Sequence, residues 1–248
     1  MAKQNIYDDE TFFTSYRKLR ENPGSANELF EKPALFSLLP ELEGKRILDL
    51  GCGFGDHCSV YVRKGALSVT GIDISVKMLE AARKENAAPN ITYINMAMED
   101  IESLKGPFDL AVSSLALQYV EDYRGLVRNV FGLLVPGGLF IFSQEHPVVS
   151  CFNGGSRWTK DENGKKLFAN LAYYSTDGER EESWFVDHVK KYHRTFSTVI
   201  NTLIEEGFVI ERIAEPIPTE ELLKAYPNQA DLLHRPDFML VRARKPEA

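Results

Sequence analysis

The 248-residue chain has only three cysteines, Cys52, Cys58 and Cys151. An odd number without paired spacing is no disulfide framework, and with no secretory segment it points to a reducing, cytoplasmic setting. Cys52, His57 and Cys58 lack the paired spacing of a zinc site, so no metal is expected. No apolar run reaches the roughly eighteen residues a membrane span needs. The opening "MAKQNIYDDETFF" is too acidic and polar for a signal peptide, and no membrane partner is expected. Lys and Arg number 29 against 36 Asp and Glu, and the formal net charge of -7 argues against a broad nucleic-acid surface. Internal repeats and low-complexity tracts are absent. What remains is 44% hydrophobic and 26% charged, an ordinary globular composition long enough to bury a core without staples.

Short β-branched runs alternate with helical periods. Strands are expected at 46–50, 68–73, 91–96, 108–113 and 138–144, each bounded by Gly, Pro, Asn or Asp. Between them, 75–87 carries an N-cap serine, Ser75, and apolar residues at helical spacing. Residues 123–134 repeat that period before Pro136-Gly137-Gly138 stops it. Five strands separated by helices predict right-handed crossovers and an open α/β sheet, mostly parallel, with helices on both faces. Ligands of such sheets bind beyond the carboxyl ends of the strands.

The last third changes character. Residues 148–191 are rich in Gly, Asn, Lys, Glu and aromatics, and the dipeptides Asn163-Gly164 and Asp177-Gly178 favour hairpins, which predicts a β-rich insertion. Thr195 as N-cap and Gly207 as stop bracket a helix expected to bury Val199, Leu203 and Ile204. Alternation in "FVIERIAE" and "DFMLVRARK" predicts an antiparallel pair closing the sheet edge. The expected organisation is one domain: a helical lid (1–44), a core (45–147), a β-rich cap (148–192), and a closing helix with a strand pair (193–248).

"RILDLGCGFGDH" sets the first strand directly against three glycines spaced two apart. A dinucleotide loop, and with it an NAD-dependent oxidoreductase, loses its strongest support because Asp56 stands where the last glycine belongs, and a Walker loop fails more plainly for want of Gly-Lys-Ser/Thr. "ILDLGCGFG", an acidic residue followed by G-x-G-x-G, resembles motif I of the class I S-adenosylmethionine-dependent methyltransferases. Further segments follow in the family's order: "VTGIDIS", "AMEDI", "FDLAVSSLALQYV" and "LLVPGGLFIFSQEHP". The resemblance runs from Arg46 to Pro147 and is to the small-molecule, methyltransferase type 11 or UbiE-like, group. It implies a Rossmann-like class I methyltransferase fold with a seven-stranded sheet. The implied cofactor is S-adenosylmethionine, with S-adenosylhomocysteine as product.

The same resemblance implies cofactor contacts. Asp49, Gly51, Gly53 and Gly55 lie in the first loop, where glycine lets the backbone pass close under a ligand. Asp49 would orient the cationic amino end, while a helix starting near Asp56 turns its positive pole to the carboxylate end. Asp73, with Ile74 and Met78 nearby, would accept from the ribose hydroxyls. Met98 and Glu99 would read the adenine, with Ala97 where many members carry Asp. Ser114 and Leu115 would lie along the methionine portion.

Methyl transfer to a small-molecule acceptor is the implied activity. His146, after the fifth strand, and His193, before the last helix, are the candidate bases, each weighed against a structural hydrogen bond. Gln118 stands where related sequences often show His. Tyr16 and Arg20, on one helical face of a lid at 16–35, are candidate acceptor contacts, as are Tyr119 and Arg194. Arg194 equally suits a surface glutamate. Trp158, Phe168, Tyr173, Tyr174, Trp184 and Phe185 either line the acceptor or form the insertion's own core. "SSLA" after the fourth strand, in place of Asn/Asp-Pro-Pro-Tyr, weighs against DNA and protein acceptors. A non-catalytic S-adenosylmethionine-binding regulator, or an RNA or protein methyltransferase, is the competing reading. Monomer and homodimer both remain compatible.

Overall fold

The computed structural model describes residues 3–247. An N-terminal arm leads into α1 (Glu10–Arg20), whose N-cap Asp9 accepts from the Phe12 N–H. A π turn at Asn27–Glu31 precedes α2 (Lys32–Leu38). The alternating core follows: β1 (Arg46–Leu50), α3 (Asp56–Arg63), β2 (Ser68–Asp73), α4 (Val76–Glu85), β3 (Ile91–Asn95), β4 (Phe108–Ser114), α5 (Tyr123–Leu133) and β5 (Leu134–Glu145). Then come α6 (Pro147–Ser150), β6 (Trp158–Lys160), β7 (Lys166–Ala169), β8 (Gly178–Trp184) and β9 (Val186–His193). α7 (Phe196–Glu205), β10 (Val209–Ala214), α8 (Glu220–Ala225) and β11 (Phe238–Arg244) complete the chain.

Seven strands form one sheet in the order β10-β11-β5-β4-β1-β2-β3. β1 to β5 pair in parallel, while β11 runs antiparallel to both β5 and β10. This is the seven-stranded, mostly parallel sheet that the resemblance implies. Chain order reverses between β1 and β4, so the end of β1 is the topological switch point where open α/β sheets take their ligands. β5 begins earlier than its apolar run suggests, because Leu134 already pairs with Phe108 before a register shift.

Strands covered on both faces carry apolar side chains on both. Along β5, Phe140 and Phe142 enter one core with Leu50, Ile72, Leu126, Val130 and Leu203. Leu139 and Ile141 enter the other with Ile47, Val69, Leu79 and Leu240. Ser75 caps α4 by accepting from Met78, and Thr195 caps α7 by accepting from Thr198.

Two local expectations are corrected. Ile204 is 53% exposed, because α7 turns Val199, Ile200, Thr202 and Leu203 inward instead. Asp177-Gly178 is not a hairpin turn: Gly178 opens β8, and the Asp177 carboxylate accepts from the Thr195 N–H at 2.9 Å. The β8–β9 reversal falls at Phe185, with φ 61°. Asn163-Gly164 does lie in the 161–165 turn that joins β6 to β7.

The arm is fastened onto the core. Asp8 accepts from the Ser75 hydroxyl at 2.6 Å and from the Lys77 N–H at 3.1 Å, at the start of α4. From the other side, Trp184 and Phe185 at the tip of the β8–β9 hairpin pack edge-on against Phe12, at centroid distances of 5.2 and 5.6 Å. No helix among the described residues is long and apolar enough to cross a membrane.

Candidate functional site

The chain leaves β1 through Gly51, Gly53 and Gly55, with φ of 72°, 53° and 76°. Their left-handed backbone explains the glycine spacing, yet the three serve different ends. A Cβ on Gly51 would stand 2.6 Å from the Ala116 Cβ, so this glycine lets the turn pack against the segment after β4. Gly53 has open space before it. Gly55 is the left-handed N-cap of α3, beneath Tyr93, where a Cβ would collide with the Tyr93 hydroxyl.

The loop is pinned by its neighbours. Gly51 and Cys52 both donate to the Ile72 carbonyl at 2.9 Å. Asp73, at the end of β2, accepts from the Gly53 N–H at 2.9 Å and from the Ser75 N–H at 2.8 Å. Burial pushes its carboxyl up to about 6, against the pull of those two N–H groups.

A cavity of about 810 Å³ opens over this loop, in the upper part of the range of roughly 300–1,000 Å³ usual for small-molecule sites. Gly51, Gly53, Asp73, Ile74 and Met78 form one wall, and Met98, Glu99, Ser114 and Leu115 continue it. Tyr7 and Tyr16 from the arm and α1, and Tyr119 from the turn after β4, form another.

An adjoining cleft of about 50 Å³ is lined by Tyr16, Arg20, Asp49, Gly53, His57 and Ser114, among others. Asp49 accepts from the Cys58 thiol at 3.2 Å, and burial pushes its carboxyl up to about 7. Burial pushes His57 down to about 3, so the ring is neutral, and its Nε2 has no partner. Arg20 reaches the cleft from α1; its guanidinium is 3.9 Å from Glu28. Behind Ser114 lies Glu31, fully buried, which accepts from the Ser114 hydroxyl at 2.9 Å and from the Ser143 hydroxyl; burial raises its pKa.

Both candidate bases lie outside the cavity. His146 caps α6: its Nδ1 accepts from the Val148 N–H at 3.1 Å, and its Nε2 is 2.7 Å from Glu215 Oε1. His193 is held between the Ser150 hydroxyl at 2.9 Å and the Tyr174 carbonyl at 2.8 Å. Burial pushes both below the usual histidine value. Both ring nitrogens of each are engaged: His146 ties the end of β5 to the segment after β10, and His193 ties α6 to Tyr174 in the insertion. Arg194 is likewise turned away. Its guanidinium donates to the Val120 and Glu121 carbonyls and stacks 5.0 Å from the Tyr123 ring, clamping the segment after β4 from behind.

Tyr7 and His57 line these cavities and Glu31 lies behind Ser114, and none of the three is among the candidate site residues expected from the sequence. Tyr7 had one local signal, its place two residues before the capping Asp9. Its hydroxyl is 3.3 Å from that of Tyr119, and its ring is 5.1 Å from Tyr16. Burial raises the pKa of all three phenols. None of the six aromatics singled out in the insertion lines the cavity; Trp184 and Phe185 support α1, while Phe168 and Tyr173 are exposed.

Comparison with known proteins agrees with this geometry. A family profile described as a methyltransferase domain matches residues 47–138. An uncharacterized protein of Haemophilus influenzae is 39% identical over 252 residues, 99% of this chain and 98% of that one. Malonyl-[acyl-carrier protein] O-methyltransferase of Enterobacter lignolyticus is 36% identical over 47% of this chain and 46% of its own length. The likeness to that enzyme therefore spans less than half of either protein. The crystal structure of an S-adenosylmethionine dependent methyltransferase from Mesorhizobium loti is 41% identical, covers 91% of this chain and 99% of its own, and superposes with a TM-score of 0.80. A near full-length likeness on the same sheet places this chain in the family of S-adenosylmethionine-dependent methyltransferases, with S-adenosylmethionine as its cofactor.

Proposed function

We propose that the protein transfers a methyl group to a small-molecule acceptor, the cofactor lying across the glycine turn and the acceptor entering at the Tyr7–Tyr119 end. The observation that carries this reading is the continuity of the cavity, which runs from Gly53 and Asp73 to the three tyrosines. Its volume leaves room for a second molecule beside the cofactor. The residues present fit the cofactor: Gly53 offers an open backbone cradle, and the small cleft beside it is polar, with an unpartnered buried nitrogen on His57.

Asp73 would receive the ribose hydroxyls, and Met98 with Glu99 would face the adenine. Asp49 would hold the amino group of the methionine tail. Arg20, read from the sequence as an acceptor contact, is better placed for the tail carboxylate, because it shares the small cleft with Asp49. When bound, the cofactor supplies an electrophilic methyl on sulfur.

The chain's own contribution is then positioning and exclusion of water. The arm, fastened by Asp8, and the β8–β9 tip, wedged on Phe12, cover the site from two sides. Holding a nucleophile in line in this way is worth roughly 7–11 kcal/mol in favourable cases. Among the described residues no histidine lines the large cavity, and its phenols stay protonated at neutral pH, so they orient the acceptor rather than deprotonate it. The test is calorimetric titration with S-adenosylmethionine and S-adenosylhomocysteine, followed by a methyl-transfer screen over metabolites with mass detection. Binding with transfer to a small molecule is expected; binding without transfer to any of them, or transfer to RNA or protein alone, would overturn the reading.

A further inference from the structure

We infer that the acceptor is an amine, which enters as a neutral nitrogen and leaves as a methylated ammonium held against Tyr7, Tyr16 and Tyr119; this rests on the methyl-transfer reading above. Three phenols from two distant segments meet here, with Tyr7 centroids 5.1 Å from Tyr16 and 5.9 Å from Tyr119. Kept neutral by burial, a phenol offers a cation both its ring face and its hydroxyl oxygen.

The charges around the cavity point the same way. The wall carries five carboxylates, on Asp73, Glu99, Glu121, Asp122 and Glu179, against the ammonium groups of Lys3 and Lys190. Both ammonium groups are taken: Lys190 is 3.0 Å from Glu179, and Lys3 is 2.6 Å from Asp100. Lys191, behind Tyr119, is held by Glu145 and Glu182, and Arg194 is spent on loop carbonyls. An anionic acceptor would find no free cation among the described residues of this wall.

A hydroxyl acceptor would need a base, and the wall is poorly supplied with one. Asp73 is held by two N–H groups, Asp122 caps α5 through the Gly125 N–H, and Glu179 is paired with Lys190. An amine needs neither a counter-cation nor a base in the site, because its proton is lost to water before entry. Its lone pair then forms the N–C bond as the S–C bond breaks, and that bonding pair stays on sulfur. Positive charge passes from sulfur to nitrogen, so the site holds one cationic centre before and after. Neutral phenols that accommodate the first therefore accommodate the second. With a carboxylate acceptor the charges would cancel.

The experiment is calorimetric titration of S-adenosylhomocysteine into the protein with millimolar trimethylammonium chloride, sodium acetate or phenol present, at matched ionic strength. Trimethylammonium should tighten S-adenosylhomocysteine roughly two- to fivefold, the size of a partly exposed cation–aromatic contact, while acetate and phenol should not. Tyr119→Leu should abolish the effect. Tyr119→Phe, which keeps the ring, should retain part of it; circular dichroism on both confirms that each is folded. Tightening by acetate or phenol instead, or by no probe at all, overturns the inference while leaving methyl transfer standing. Failure of S-adenosylhomocysteine to bind overturns both. As a second readout, methyl-labelled S-adenosylmethionine offered with size-matched amines, carboxylates and phenols should label amines; label on carboxylates or phenols alone overturns the amine assignment.

Discussion

The two walls of the cavity are built differently. The wall made of Gly51, Gly53, Asp73, Met98 and Ser114 comes from short segments, each at the carboxyl end of a parallel strand or just beyond it. The sheet register therefore sets their relative positions. The opposite wall draws Tyr7 and Tyr16 from the N-terminal 20 residues, Tyr119 from a turn, and Glu179, Lys190 and Tyr192 from a hairpin. Side chains hold these together: Asp8 on the Ser75 hydroxyl and Lys77 N–H, Gln4 on the Lys190 backbone, and Phe12 packed against Trp184. A backbone-built wall suits a constant cofactor, while a wall of side chains on separable segments is where acceptor specificity can change.

That contrast can be broken by experiment. The largest effects are expected at the proposed cofactor contacts, beginning with Asp73→Ala, which removes the acceptor proposed for the ribose and frees the Gly53 N–H. S-adenosylmethionine affinity should fall by roughly 1–3 kcal/mol, read by calorimetry, and an unchanged Kd would remove Asp73 from the cofactor wall. The same carboxylate sets a pH dependence. With its pKa raised to about 6, Asp73 is ionised above that value, so affinity should fall as pH drops through 6, and Asp73→Asn should flatten the profile.

Arg20→Met sharpens the assignment to the methionine tail. It should weaken S-adenosylmethionine by roughly 1.5–3 kcal/mol, the usual loss for hydrogen bonds to a charged group, but leave methylthioadenosine, which has no such tail, unaffected. Equal losses for both would return Arg20 to a structural role.

Asp49 reports on stability. Its carboxyl is raised to about 7 by burial, so between the ordinary carboxylate value and 7 the folded state holds more protons than the unfolded one. Stability should therefore decline as pH rises from about 4 to about 7, and the penalty is fully present above that. Asp49→Asn should raise Tm at pH 8 by roughly 2–4 °C per kcal/mol recovered, with little gain at acid pH. An equal shift at both pH values would show that the charge is not its cause.

The smallest effect on turnover is expected at the histidines. His146→Ala and His193→Ala should each lower Tm, since each removes a buried hydrogen-bonded link, with S-adenosylmethionine affinity and the pH profile of turnover unchanged. Loss of a titration near neutral pH in either variant would restore a catalytic histidine.

Sequence reading reached some parts of this molecule more easily than others. β1 and β2 coincide with their predicted bounds, and Ser75 and Thr195 cap the helices they precede, because these signals are local: apolar runs, turn residues and caps. Asp177-Gly178 misled because a turn-forming dipeptide also serves as a strand entry when its carboxylate finds a distant N–H, here that of Thr195. For His146, position after a strand does not say where the ring points. α6 turns at that residue and takes the ring for its own cap.

The sequence by itself determined the glycine turn, the strand-and-helix alternation and the resemblance that names a cofactor, since each lies in neighbouring residues whose backbone preferences act over a few bonds. Only the tertiary structure decided that Tyr7 faces Tyr119 across 112 positions, that Arg20 shares a cleft with Asp49, and that both ring nitrogens of His146 and His193 are engaged. Such convergence depends on which packed surfaces bring distant segments together, and the identity of a residue does not carry that information.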